Sequence, residues 1–137
     1  MAATKPQNTS GHAVAPEPWL WPDTLDALNA APEHHRLVYE NERVRVLEVR
    51  IGPGGIVPLH THRWPSVLYL QGWSEHLRRD GAGKLIFDSR EAGSPPKIPS
   101  VVWFEPLPPH SVENVGAVEL LVLSIELKGD AARPGLS

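Results

Sequence analysis

The chain has no cysteine in its 137 residues. That excludes disulfide staples, thiolate nucleophiles and sulfur-ligated metals, and leaves histidine as the natural ligand for a transition metal. A basic face is missing too: 13 Lys and Arg stand against 16 Asp and Glu, for a formal charge of -3. Without the positive footprint that neutralises phosphates, nucleic acid is not an expected partner. Nowhere do about eighteen apolar residues run uninterrupted, so no membrane-spanning helix and no membrane partner are expected. Residues 1–18, MAATKPQNTSGHAVAPEP, hold one Lys but no apolar stretch of the secretory type. The G-x-S-x-G pattern of a hydrolase nucleophile is absent as well. What is left is a soluble, cytoplasmic protein whose partner is a small molecule.

The length fits one domain with a real core, and its texture divides the chain in four. Residues 1–18 are rich in Ala, Pro, Ser, Thr and Asn without periodicity and read as a flexible arm. In 19–35, Trp19 and Trp21 carry too much apolar area to leave in water, so this piece packs on the domain or on a second subunit. Asp23 is placed to cap a short helix that Pro32 ends. From 36 to 128, short runs of β-branched and apolar residues alternate with Gly, Pro and Asn turns, the pattern of an all-β domain. The expected strands cover 36–40, 43–51, 57–62, 67–71, 74–79, 84–87, 101–104, 111–113 and 118–127. Alternation in 43–51 puts Arg45, Leu47, Val49 and Ile51 on one face and Val44, Val46, Glu48 and Arg50 on the other. Polar residues fall on both, which leaves the inner face open. Residues 129–137 read as a frayed tail.

His60-Thr61-His62 follows a Gly-rich loop and lies on an expected strand, where residues i and i+2 share a face and two imidazoles can converge on one ion. Such a pair alone is a weak signal, since half-exposed strand histidines are common. His110 adds weight to it. It stands in Pro108-Pro109-His110-Ser111-Val112-Glu113-Asn114, where closure of a barrel brings it opposite the first pair. His12, in the arm, His34 and His35, at a turn before the first strand, and His76, beside arginines in a polar strand, read as solvated.

Together these segments resemble the two motifs of the cupin superfamily, G-x5-H-x-H-x3-4-E-x6-G and G-x5-P-x-G-x2-H-x3-N. Gly54-x5-His60-Thr61-His62 and His110-x3-Asn114 match their cores, and the resemblance spans about residues 36–128. It implies a small jelly-roll β-barrel and makes His60, His62 and His110 the ligands of one divalent metal ion. The chain departs from the motifs at the glutamate, where Ser66 or Val67 stands. Leu107 replaces the glycine before the third histidine and Glu105 the proline, with Pro106, Pro108 and Pro109 to make the turn. Three neutral imidazoles without a carboxylate leave the ion its full charge. Such a site favours an anionic or enolisable bidentate substrate and keeps coordination positions open.

Resemblance to three-His cupin dioxygenases implies a metalloenzyme that cleaves a small chelating substrate with dioxygen, and favours Fe(II) over Zn, Mn or Ni. A redox-silent ion in the same cage would act instead as a Lewis acid for isomerisation or elimination. A non-catalytic module that binds a small ligand or a metal is the competing reading, and fold does not decide between them. Tyr69 and Gln71 share strand parity after the H-x-H strand and are the candidate catalytic groups, while Glu105 and Glu75 are each a candidate fourth ligand or general base, or else exposed rim carboxylates. Trp64, Trp73 and Trp103 read as core. Related cupins often pair through their sheets and Trp19 and Trp21 offer apolar surface, so a homodimer is expected.

Overall fold

The computed structural model describes residues 18–129. The expected arm, with His12 and all but Pro18, and the expected tail beyond Gly129 lie outside them. Nine strands follow one another: β1 (His35–Glu40), β2 (Val44–Ile51), β3 (Ile56–His62), β4 (Ser66–Gly72), β5 (His76–Asp80), β6 (Leu85–Asp88), β7 (Ser100–Phe104), β8 (Leu107–Asn114) and β9 (Leu120–Leu127). They form two antiparallel sheets, β1-β2-β9-β4-β7 and β3-β8-β5-β6, in a jelly-roll arrangement. Register settles the open question in β2. Leu47 lies opposite Ser124, Val49 opposite Val122 and Ile51 opposite Leu120, and the face carrying Arg45, Leu47 and Ile51 is buried. Ala31, Ile51, Val57 and Leu120 form a packed core cluster.

Two expectations change in detail. The helix cap is Asp26, not Asp23: residues Asp23–Leu25 make a 3-10 turn, and α1 (Ala27–Ala30) starts after Asp26, whose Oδ2 accepts the Leu28 N–H at 3.1 Å. The extended backbone at Asp26 frees its carboxylate to reach that orphan donor. Asp26 also bridges to Thr61, which docks this segment beside the H-x-H strand. The second change concerns β8, which begins at Leu107, so His110 belongs to a strand rather than to a proline loop. Pro108 and Pro109 are tolerated because pairing with β5 reaches only as far as Asp80 opposite His110. On the other side, His60 faces His110 while His62 faces Leu107, an irregularity that absorbs the extra residue.

Asn114, at the end of the second motif match, ties the fold together. Its Nδ2 donates to the carbonyls of Ile51 and Val118, both at 2.8 Å. Its Oδ1 accepts from Ser74 Oγ at 2.8 Å and from the Gly116 N–H at 2.9 Å. A Cβ at position 116 would stand 2.1 Å from Ser74 Oγ, so the clamp requires glycine there.

Candidate metal centre

The structure gathers four histidines where the sequence suggested three. His35, read as solvated, is 4 % exposed, and the cause is a β-bulge. Near the β1–β2 turn Tyr39 pairs with Val46, whereas beyond the register shift Leu37 pairs with Leu47 and His35 with Val49. An unbroken register would set His35 opposite Arg50 on the outer face; the bulge turns it inward. Its ring centroid then lies 4.9 Å from that of His60 and 5.2 Å from that of His62. His60 lies 5.1 Å from His62 and 4.3 Å from His110. The tightest donor set is His35, His60 and His62, whose ligand atoms all fall within 4.8 Å of one another. His110 borders that set, with its centroid 5.9 Å from that of His62.

In all four rings Nδ1 is already engaged. His35 Nδ1 donates to the Ala31 carbonyl at 3.0 Å, His60 to Pro58 at 2.7 Å and His110 to Pro108 at 2.7 Å, while His62 donates to Glu126 Oε2 at 2.8 Å. A proton held at Nδ1 by an acceptor leaves the Nε2 lone pair free, so the tautomer is set from outside the cluster. Burial then pushes the His60 imidazole down to about 2, with the neighbouring histidines adding to the effect. Burial likewise takes His110 to about 3 and His35 to about 4. These rings are neutral donors at physiological pH, and their chemistry fits a divalent transition-metal ion, for which neutral imidazole is the commonest ligand.

Behind His62 stands a buried chain of charges. Glu126, fully buried, accepts from His62 through one oxygen and from Arg45 Nε at 2.7 Å through the other. Arg45 holds the Asp26 carboxylate in a fork, both contacts at 2.9 Å. Burial pushes the Asp26 carboxyl up, yet the hydrogen bonds and charge of Arg45 leave it below its ordinary range. Ser66, at the place of the motif glutamate, lies directly opposite Glu126. The carboxylate missing from the motif is thus supplied from the next strand, as a support for His62 rather than as a donor. Glu126→Gln is expected to weaken zinc binding by about 10–100-fold with unchanged stoichiometry, because the amide holds the imidazole less firmly and makes it less basic. Competition against a chromophoric chelator measures this, and wild-type affinity in the variant would remove Glu126 from the site.

The histidines line a cavity of about 330 Å³, with Val49, Leu68, Val102 and Val122 among its walls. His76, read as solvated, also lines it, because its register partner Asn114 lies on the inner face of β8. Tyr69 and Gln71 do not. Their strand presents Ser66, Leu68 and Leu70 to the cavity, and the pairing of Ser66 with Glu126 fixes that parity. Glu105 is exposed and accepts from Trp103 Nε1 at 2.7 Å. Trp103 is itself 47 % exposed rather than core, whereas Trp73 lines the cavity. Among the described residues no carboxylate lines it.

No family model matches the chain, and no curated relative was found. Solved structures resemble it. A cupin domain from Bordetella pertussis is 23% identical with a TM-score of 0.56, over 69% of this chain and 92% of that one. A conserved protein with a double-stranded beta-helix domain from Klebsiella pneumoniae is 18% identical with a TM-score of 0.50, over 71% and 77%. The likeness is one of architecture: the chain has the cupin fold.

Proposed function

We propose that His35, His60, His62 and His110 hold one divalent metal ion in this cupin fold, and that the chain is a metalloenzyme acting on a small anionic, chelating organic substrate. The observation that carries this reading is the convergence on one cavity of four imidazoles, three of them buried and that of His62 largely so, each with Nδ1 committed elsewhere. Fe(II) is the favoured ion, with Zn, Mn or Ni as alternatives. When bound, the ion supplies a positive charge that no lining carboxylate cancels, and the Lewis-acid or redox chemistry that goes with it. The protein's own part is to fix the donor atoms, to keep bulk water out with aliphatic walls and to admit an anion. Among the described lining residues His76 is the one titratable side chain outside the cluster and Arg78. Few side chains are therefore placed to move protons, which favours reactions driven by the ion, dioxygen-dependent cleavage first among them.

The deciding experiment is to purify the protein without added metal, reconstitute it with Fe(II) or Zn(II), and measure metal content and oxygen uptake with a panel of diketones, keto acids and thiols. About one ion per chain and uptake with at least one compound are expected. Tight binding without turnover would establish a non-catalytic binding module, and failure to take up metal would overturn the site.

We also propose a cytoplasmic homodimer. It is supported by apolar side chains left in water on the five-stranded sheet: Val101 and Trp103 on the edge strand β7, and Leu37, Val38 and Tyr39 on the opposite edge β1. Sedimentation at micromolar concentration is expected to give twice the chain mass. Charged replacements at Val101 and Trp103 are expected to give monomers if β7 lies in the interface, and a wild-type monomer would reject the proposal.

A further inference from the structure

The same cavity holds a cation that meets no carboxylate among the described residues. Arg78 lies on β5 opposite Val112, one inward-facing position along the ladder from the pair Asp80 and His110, and it lines the same cavity as the histidines. Its guanidinium carbon stands 5.0 Å from the centroid of the Phe87 ring and 5.5 Å from that of Phe104. Other arginines here meet carboxylates: Arg45 meets Asp26 and Glu126, Arg50 meets Glu48 and Glu119, Arg79 meets Glu113 and Arg90 meets Asp88. Among the described residues Arg78 meets none, and burial alone acts on it, pushing it below its ordinary value. The nearby acids are committed elsewhere. Glu75 accepts from Ser89, Glu113 and Asp88 face their own arginines, and Asp80 caps its hairpin through the Ala82 and Lys84 N–H groups.

A half-buried guanidinium that loses part of its hydration and meets no carboxylate is unfavourable, and two aromatic faces offset only part of that cost. We infer that Arg78 is the anion receptor of this cavity and that the ligand is a small organic carboxylate, its carboxylate on the Arg78 guanidinium and its other end at the histidine cluster. The planar fork of the guanidinium matches a carboxylate through two parallel hydrogen bonds. A single cation among mostly apolar walls suits one negative charge, where a phosphate dianion would need further donors. Length is bounded as well. Diagonal neighbours across an antiparallel ladder are about 7–8 Å apart, so few bonds separate the two ends of the ligand. The Arg78 half of this assignment stands alone; the other half rests on the metal reading above.

The test is calorimetric titration of the monocarboxylates acetate, lactate, butyrate and benzoate into metal-free and zinc-loaded protein, with methyl benzoate and inorganic phosphate as controls. At least one carboxylate is expected to bind the metal-free wild type, with the ester and phosphate at least tenfold weaker. Arg78→Gln is expected to lower that affinity at least tenfold in both forms without changing zinc stoichiometry, and Arg78→Lys to restore part of it. Arg78→Met, checked by near-ultraviolet circular dichroism, is expected to keep or raise the unliganded Tm, because it removes an uncompensated charge. A loss of less than tenfold in Arg78→Gln, phosphate binding as tight as that of the best carboxylate, or no binding by any carboxylate would overturn the inference. Failure of the wild type to take up zinc, with the Arg78 dependence intact in the metal-free form, would overturn only the metal reading.

Discussion

His60→Ala is expected to lower zinc affinity on the order of several hundredfold, the largest loss of any single replacement at the site. A four-ligand zinc site is worth about 10–16 kcal/mol in apparent binding free energy, so one ligand's share is roughly 2.5–4 kcal/mol. That exceeds the 10–100-fold expected for Glu126, which acts through His62. His60 is the right residue to remove because it sits between the others, its ring centroid within 5.1 Å of those of His35, His62 and His110. His35→Ala and His110→Ala are expected to show losses of similar order, and their comparison ranks the two: full affinity in His35→Ala would return the site to the triad read from the motifs, and full affinity in His110→Ala would leave the compact set alone. His34→Ala is the control, because His34 faces the Arg50 carbonyl outside the cluster. Wild-type zinc affinity in His60→Ala, measured by chelator competition with the fold intact, would remove the metal from this cavity.

The strands were legible because their signal is local. Short β-branched runs between turn residues place all nine, and i, i+2 parity alone puts His60 and His62 on one face. What local pattern does not carry is register. His35 reaches the cluster only through the bulge between Leu37 and Tyr39, a one-residue slip that no alternation in 36–40 announces. Tyr69 and Gln71 share parity with each other, but nothing local says which face of β4 is inner: β4 belongs to the other sheet and takes its facing from β9. Glu126 did leave a trace. It is the one charged residue in Leu120–Leu127 and shares parity with Leu120, Val122 and Ser124, so an acid stands on the buried face of an apolar strand. A buried carboxylate demands partners, and Arg45, on the inward face of the neighbouring strand, is one of them.

Without metal, the protein is expected to lose stability steeply as pH falls below about 6.5. In the unfolded chain His35, His60 and His110 take protons near their ordinary value of 6.5, whereas the folded protein holds them at about 4, 2 and 3. Above pH 6.5 both states are neutral at these sites and the term vanishes. Below it the unfolded state binds up to three more protons, and each contributes a slope of about 1.4 kcal/mol per pH unit, so stability falls by about 4 kcal/mol per unit in the middle of the window. The loss levels off only as the folded groups begin to titrate, His35 first, near pH 4. His76, also held below its ordinary value by burial, acts in the same direction. With a total stability of about 5–15 kcal/mol for a domain of this kind, two units of acidification are enough to unfold many such chains. Urea unfolding in a chelator from pH 7.5 to 4.5 measures the slope. His35→Gln is expected to reduce it by about a third, because one of the three protons no longer enters. A slope near zero between pH 6 and 5 would mean that the folded cluster takes up protons as readily as the open chain, and imidazoles so solvated are not the neutral, preorganised donors that a metal site needs.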